Sequence, residues 1–445
     1  MQQPTLTVSG YRGIWGQSLT DAIARDYVRA FAAFVLKHGG TSIIIGRDAR
    51  ASGPELLEAV VNEIQKTGLS VIDLGMMPTP TALLLVRREH AGGAIIITAS
   101  HNPIEYNGLK FVTSTGTFTT EKDVAEIEAL RPTPVEEKPL GARTDGSSLF
   151  TAHMEAVLRS VSVETIKVRK FKVAIDPINS VGCTTTPKLL EALGAEVVAI
   201  NNKATGAFAH EPEPLAKNLT DLAALVKNSG ADIGFAQDPD GDRLVLCDEK
   251  GTIVFEEAGV ALAIKAALMR RHGDIAINLS TSNMSEDIAS DFGYRTWRSK
   301  VGEANVVSTM LAHSAVAGGE GSGGIIFPEV NAARDSFVGM ALILDLMATE
   351  QKPLSELIDE LPKYVMKKDK FSFSGNLTDV YAKLTSLFPE AHRNTLDGLR
   401  LDFEDRSWVH ARPSNTEPIV RIIIEAKTEE RADFLLKQAR LTTQS

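Results

Sequence analysis

The chain has very little cysteine: Cys183 and Cys247 are the only two in 445 residues, and they lie far apart. That excludes a disulfide scaffold and a thiolate zinc cluster, and it suits a reducing cytoplasm. Positive charge is not in excess either. The formal net charge is −10 at pH 7, which argues against a general nucleic-acid or membrane-surface binder. An anionic ligand would need locally placed Arg, Lys and backbone N–H groups to offset that field. No apolar run is long enough to span a bilayer, so no membrane partner is expected. The N-terminus, Met1-Gln2-Gln3-Pro4-Thr5-Leu6-Thr7, has neither a basic region nor an apolar core, so no signal peptide is expected. Heptads and low-complexity tracts are missing too. What remains is a soluble, globular composition, 43% apolar and 23% charged, in which disorder is not expected. The length is too great for one ordinary core, and two to four domains are expected.

The stretch from Ala94 to Phe111 organises the rest. Ile95, Ile96 and Ile97 form a β-branched run, as in a strand buried on both faces. Ser100 follows where the run stops, and His101, Asn102 and Pro103 force a turn. A small hydroxyl is thereby held on a tight loop at a strand end, where α/β proteins commonly keep their chemistry. The plain alternative is a strand followed by an Asn-Pro turn.

Upstream, Ser9-Gly10-Tyr11-Arg12-Gly13 reads as a loop where backbone approaches something closely. Asp21 to Leu36 has helical spacing, Ser42 to Ile45 is a strand, Pro54 to Lys66 a helix and Ser70 to Leu74 a strand. Gly75 to Pro80 reads as a turn. The charges of Gly46-Arg47-Asp48-Ala49-Arg50 suit Arg–carboxylate pairs that brace a loop. Strand and helix alternate, so this unit is α/β with a largely parallel sheet. A boundary falls between Arg131 and Ser147, with a connecting helix through Val161.

The pattern then restarts, with strands at Lys172 to Ile175, Glu196 to Ile200 and Asp232 to Ala236, and a helix at Thr186 to Leu193. The third strand ends in Asp238-Pro239-Asp240-Gly241-Asp242-Arg243, and Leu244 to Cys247 is another strand. Three carboxylates at i, i+2 and i+4 around a Pro and a Gly would repel on one tight loop. A divalent cation relieves that repulsion. An EF-hand is the nearest competitor, and Glu249 falls at its twelfth position. Arg243 stands where its glycine is required, however, and the flanks read as strands.

A third α/β unit carries helices at Val260 to Arg270 and Met284 to Phe292, and strands at Asp274 to Leu279 and Arg295 to Arg298. Lys300-Val301-Gly302-Glu303 opens a further helix. Gly318-Gly319-Glu320-Gly321-Ser322-Gly323-Gly324 reads as a loop that lets backbone reach a ligand. A smaller unit begins with Tyr364 to Phe373, its boundary near Pro362, and Ile419 to Glu425 is a strand. Between them Arg412-Pro413-Ser414-Asn415-Thr416-Glu417-Pro418, with Arg421, suits a phosphate.

Taken in order, these segments resemble the α-D-phosphohexomutases, the family of phosphoglucomutase, phosphomannomutase and phosphoglucosamine mutase. Thr98-Ala99-Ser100-His101-Asn102-Pro103 resembles the family's phosphoserine loop, and Asp238-Pro239-Asp240-Gly241-Asp242-Arg243 its metal loop. Glu320 to Gly324 resembles the sugar-binding Gly-Glu-x-Ser-Gly-His, with Gly324 in place of the His, and Asn415 replaces a Gly in the phosphate loop. The resemblance implies three related α/β domains with mixed sheets and a smaller C-terminal α+β domain around a central cleft, divided as 1–145, 146–254, 255–363 and 364–445. It implies a mutase that interconverts hexose 1-phosphate and hexose 6-phosphate through phosphorylated Ser100 and a hexose 1,6-bisphosphate. The hexose would be glucosamine, glucose or mannose. The catalytic set would be Ser100, His101, Arg12, Lys110 and Arg243. Ser100, Asp238, Asp240 and Asp242 would hold Mg²⁺. Glu320, Ser322 and Lys300 would grip the sugar, and Arg412, Ser414, Asn415, Thr416 and Arg421 the non-reacting phosphate. The expected partner is a phosphosugar alone, with the protein a monomer or homodimer in the cytoplasm. Two other classes stay open: a metal-dependent sugar-phosphate phosphatase, and a non-catalytic sugar-phosphate binder.

Overall fold

In the computed structural model, which describes residues 5–131, 138–372, 376–413 and 419–443, the alternating pattern becomes four sheets. The first runs Tyr11–Ile14, Tyr106–Thr113, Gly93–Ile97, Ser42–Arg47, Ser70–Met76, Arg143–Asp145 across its width. The second runs Leu244–Asp248, Ile233–Gln237, Lys172–Asp176, Glu196–Ala199. The third runs Thr296–Ser299, Ile275–Asn278, Ala317–Glu320, Gly324–Phe327, Asn331–Arg334. All three are mixed. Parallel strands end at Gly93–Ile97, Ile233–Gln237 and Ala317–Glu320, and the next strand in each sheet returns antiparallel. The chain therefore reverses direction at the same topological point three times. The three reversals carry the Ser100 loop, the aspartate loop and the Gly321-Ser322-Gly323 turn. The fourth sheet, Val365–Ser372, Ile419–Ala426, Trp408–Pro413, Leu399–Asp402, His392–Asn394, is antiparallel throughout.

The structure corrects four local expectations. Gly75 to Pro80 is not a turn alone: the strand continues to Met76 and a helix, Thr79–Arg88, begins at once. Proline is tolerated in a first helical turn, where its missing N–H has no partner to lose. The glycine-rich stretch is not a long loop. Ala317–Glu320 and Gly324–Phe327 are paired strands joined by three residues. A Cβ on Gly318 would stand 2.3 Å from the Ala276 carbonyl oxygen, so that glycine answers close strand packing and not flexibility. Two helices begin earlier than their apolar spacing suggests, at Gly182 and at Glu256.

One apolar core runs through all three α/β units, from Ile44 and Leu83 through Phe235 and Leu262 to Phe337. The helix Ser336–Glu350 lies at its centre and is buried on nearly every side. The fourth unit has its own core, built on Val380, Leu401, Val409, Ile422 and Leu435. It is seated on the third by buried polar contacts. Glu425 Oε1 accepts from the Asn283 amide at 2.9 Å and from Trp408 Nε1 at 2.8 Å. The buried Arg400 guanidinium lies 4.3 Å from the Trp408 ring centre and donates to the Leu279 carbonyl. Among the described residues, no helix is long and apolar enough to cross a membrane.

A chain of buried polar groups ties the α/β units to the aspartate loop. Thr81 Oγ1 is 2.8 Å from His153 Nδ1, and His153 Nε2 is 2.7 Å from Asp335 Oδ2. Asp335 caps the central helix by accepting from Phe337 N and Val338 N. The next residue, Ser336, donates to the Gly241 carbonyl at 2.6 Å. All of these side chains are buried. His153→Ala leaves the Thr81 hydroxyl and one oxygen of Asp335 without partners inside the protein, and the expected loss is about 3–5 kcal/mol of stability. Glu155→Ala, on the exposed side of the same helix, is expected to stay within about 0.5 kcal/mol. Denaturant unfolding of the two variants checks this.

Glu257, in the first turn of the helix Glu256–Arg270, is also buried and accepts from the Ser282 amide. Burial pushes its carboxyl up to about 7, against the opposing pull of Lys368. In the unfolded chain the same group titrates near about 4.3. From there up to pH 7 the unfolded state loses its proton first, so stability falls with rising pH by about 4 kcal/mol in all and then levels. Glu257→Gln removes that slope. Melting curves of wild type and Glu257→Gln should nearly coincide at pH 4.5, and the variant should be the more stable at pH 8.

Candidate active site

The loop after the strand Gly93–Ile97 is shaped by Arg50, fifty residues upstream. Its Nη1 donates to the Pro103 and Tyr106 carbonyls at 2.6 and 2.9 Å, and its Nη2 to the Ser100 and Asn102 carbonyls at 2.8 and 2.7 Å. Asp48 holds the guanidinium through Nε at 3.0 Å and also accepts from Thr98 Oγ1 at 2.7 Å. Thr98 Oγ1 in turn accepts from the Ser100 amide. The bracing role expected for the Arg47–Arg50 charges is thus visible for Asp48 and Arg50. The phenyl ring of Phe208, from the second unit, lies 5.0 Å from the Arg50 guanidinium carbon. Within this cradle Ser100 adopts a left-handed backbone, φ +50°, a conformation that costs a non-glycine residue of order 1–3 kcal/mol. The surrounding hydrogen bonds offset it.

Ser100 Oγ is buried and sits 3.1 Å from Asp238 Oδ2 and 3.2 Å from His101 Nδ1. Burial, with Arg243, Arg12 and Arg334 nearby, holds the His101 imidazole far below its ordinary range, so it is neutral. Arg12 reaches in from the N-terminal strand, donating to Asn102 Oδ1 at 2.9 Å, with its buried Nε unpaired. Arg243 likewise has a buried, unpaired Nε, while its Nη1 lies 3.8 Å from Glu213.

The aspartates crowd as the spacing requires: one oxygen of each lies within 4.8 Å of the others. Asp240 and Asp242 are each held by one oxygen, and Asp238 by both, since its Oδ2 meets Ser100 Oγ. Asp238 Oδ1 accepts from the Asp242 and Arg243 amides, both at 3.1 Å. Asp240 Oδ2 accepts from Lys110 Nζ at 2.6 Å and Thr79 Oγ1 at 2.7 Å. Asp242 Oδ2 accepts from Arg334 Nη2 at 2.7 Å and lies 3.6 Å from Lys110. The other oxygens of Asp240 and Asp242 are buried without any hydrogen-bond partner. Unpaired buried carboxylate oxygens facing a third carboxylate fit a hard divalent cation with oxygen ligands. Burial together with Asp242 and Asp240 raises Asp238 well above the carboxylate range. For Asp240 burial pushes the same way, but Lys110 outweighs it and the net shift is downward.

Glu320 is buried at the end of its strand. Its Oε1 accepts from Asn278 Nδ2 and the Gly302 amide, and its Oε2 lies 3.3 Å from Arg334 Nη1. Ser322 is half-buried on the turn and Lys300 is exposed after the strand Thr296–Ser299. Arg412 is buried, 3.5 Å from Asp397, whose Oδ2 also accepts from the Val301 amide. Arg412 and Arg421 face each other across the ladder, and Lys370 faces Arg421 on the next strand. Arg412, Arg421 and Lys370 thus form a row of cations across three strands. Ser414, Asn415 and Thr416 lie outside the described residues. Sequence reasoning missed Thr79, Arg334, Asn278, Asp397 and Lys370 as site residues. For Lys370 the register of the fourth sheet was needed, whereas Arg334-Asp335 stands just after the glycine-rich segment and offered a local signal.

The same architecture recurs elsewhere. Family models described as phosphoglucomutase/phosphomannomutase alpha/beta/alpha domains I, II and III match residues 5–135, 151–251 and 257–364, and the C-terminal domain matches 367–441. The chain is 37% identical to a phosphoglucomutase/phosphomannomutase of Thermococcus kodakarensis, covering 95% of this chain and 94% of that one. It is 33% identical to a phosphoglucosamine/phosphogalactosamine mutase of Sulfurisphaera tokodaii, covering 96% of each. A crystal structure of a phosphoglucomutase/phosphomannomutase family protein from Burkholderia thailandensis superposes with a TM-score of 0.88 at 27% identity, covering 99% of this chain and 97% of that one. With four matched domains in order and a serine loop facing a buried aspartate triad, the chain belongs to the phosphoglucomutase/phosphomannomutase family, the α-D-phosphohexomutases.

Proposed function

We propose that this chain moves a phosphoryl group between C1 and C6 of a hexose phosphate, with Ser100 as the temporary carrier. The observation that carries the reading is Ser100 Oγ, buried and 3.1 Å from Asp238, beside two unpaired aspartate oxygens. Asp238, Asp240 and Asp242, with an oxygen on Ser100, would hold Mg²⁺, which supplies charge neutralisation for the transferred phosphoryl group. In one half-reaction the Ser100 O–P bond breaks and a new O–P bond forms to a free sugar hydroxyl, giving a hexose 1,6-bisphosphate. The hydroxyl proton ends on Ser100 Oγ. In the other half-reaction the second phosphate of that bisphosphate returns to Ser100.

The chain's own groups divide the work. Neutral His101, with Nδ1 at 3.2 Å, is placed to hydrogen-bond Ser100 Oγ and orient it for transfer. Arg12 and Arg243 bring guanidinium groups with unpaired nitrogens to the same place, where charge on the moving phosphoryl group gathers. Lys110, bound between Asp240 and Asp242, acts as a fixed counter-charge. Glu320 and Ser322 accept and donate to sugar hydroxyls, with Lys300 at the rim. Arg412, Arg421 and the segment Ser414-Asn415-Thr416 grip the phosphate that is not reacting. Glucose, mannose and glucosamine phosphates are the candidate substrates.

Intact mass of the protein after incubation with glucose 1,6-bisphosphate should show one added phosphoryl group, lost in Ser100→Ala. Incubation of the wild type with glucose, mannose and glucosamine 1-phosphates and a trace of bisphosphate should yield the 6-phosphates. Release of inorganic phosphate without isomer would mean a phosphatase, and near-normal turnover by Ser100→Ala would remove the carrier role.

Removal of divalent cation with excess chelator should abolish turnover, and Mg²⁺ should restore it. Asp240→Asn should weaken Mg²⁺ by more than about tenfold while the protein stays folded. Calorimetric titration measures the first effect and circular dichroism the second. Full activity in chelator would overturn the metal assignment.

A further inference from the structure

Arg334 closes the last strand of the third sheet and has a carboxylate on each arm. Its Nη2 donates to Asp242 Oδ2 at 2.7 Å, its Nη1 to Glu320 Oε2 at 3.3 Å and its Nε to Glu303 Oε2 at 3.0 Å. The Arg334 amide donates to the other Glu303 oxygen at 2.8 Å. Glu303 thus clamps the residue by both backbone and side chain, which fixes the plane of the guanidinium. A planar fork with three separate partners cannot turn toward one without leaving another.

The neighbouring hairpin is built to let this arginine through. Gly324 pairs with Glu320 across the hairpin. A Cβ on Gly324 would stand 2.2 Å from Arg334 Cδ and 2.7 Å from its Cγ. Any side chain at 324 must therefore displace the arginine stem. The missing side chain at 324 is space that Arg334 already fills.

From this geometry we infer that Arg334 is a positioning residue that sets the metal-site carboxylate Asp242 and the sugar-site carboxylate Glu320 in one frame. The inference rests on the functional reading above, in which those two carboxylates serve the cation and the sugar. By occupying Asp242 Oδ2, Arg334 leaves the unpaired Oδ1 as the oxygen that would meet a cation. By holding Glu320 Oε2 it fixes the orientation of the group that meets the hydroxyls. One side chain thus aligns two sites contributed by different units.

The test uses full-length protein with the native Ser100, treated with phosphatase so that no phosphoryl group can be passed on and binding is read without turnover. Mg²⁺ and α-D-glucose 1-phosphate are titrated separately by calorimetry. Arg334→Met should weaken Mg²⁺ by about 10–100-fold and glucose 1-phosphate by about tenfold. Arg334→Lys keeps the charge but not the fork, and should recover only part of either loss. Gly324→Ala keeps the arginine and should still weaken both ligands. Arg270→Met breaks a part-buried ion pair with Asp345 outside the site, and should lower the melting temperature with neither affinity changed. If Arg334→Met does not fold, the Lys and Gly324→Ala variants carry the test. Folded variants that bind both ligands like the parent, or that lose one and keep the other, would overturn the inference. A parent that binds neither would overturn the functional reading first, and the inference with it.

Discussion

Three carboxylates cannot share a buried loop without help, and the arrangement of this molecule follows from that repulsion. Asp238, Asp240 and Asp242 are all but completely buried. Charges so close in a region of low dielectric repel strongly unless each finds a partner. The partners come from every α/β unit: Thr79 and Lys110 from the first, the loop's own amides from the second, Arg334 from the third. Apart from the loop's own amides these are contacts between units, and the site itself helps to hold the units in register.

The topology makes that meeting possible. Each α/β sheet ends its parallel run at one strand and turns back antiparallel. The first reversal presents a hydroxyl, the second a set of carboxylates, the third a carboxylate and a hydroxyl on a glycine turn. One backbone solution is used three times with different side chains. The shared apolar core behind the reversals is what keeps three short loops at hydrogen-bonding distance from one another. The fourth unit, with a core of its own, brings its cations on strands and meets the third unit through polar groups.

Much of this was readable in the sequence where the chemistry lies on one short segment. The serine loop and the aspartate loop each occupy a handful of consecutive residues between β-branched runs, so both strand ends and both sets of side chains were legible. The repeated α/β pattern was legible for the same reason. What escaped depends on partners far apart. Thr79 matters because Asp240 is 161 residues away, and Lys370 because the sheet register sets it opposite Arg421. The helix Ser336–Glu350 is apolar on all sides and gives no amphipathic period to detect. The stretch Gly318 to Gly324 misled because glycine permits both flexibility and close packing, and only the facing Ala276 carbonyl decides between them.

The Arg50 cradle has a consequence for how the serine loop can vary. Its four bonds to the loop all end on main-chain carbonyls, so they do not depend on which side chains the loop carries. The path of the backbone through Ser100 is set from outside, by a residue in another strand–helix connection. Side chains such as Ile104 and Glu105, which lie exposed on that loop, are thereby released from any duty to shape it. The loop can change its face to solvent and to ligand while the nucleophile stays where it is, because its form is stored in a different part of the chain.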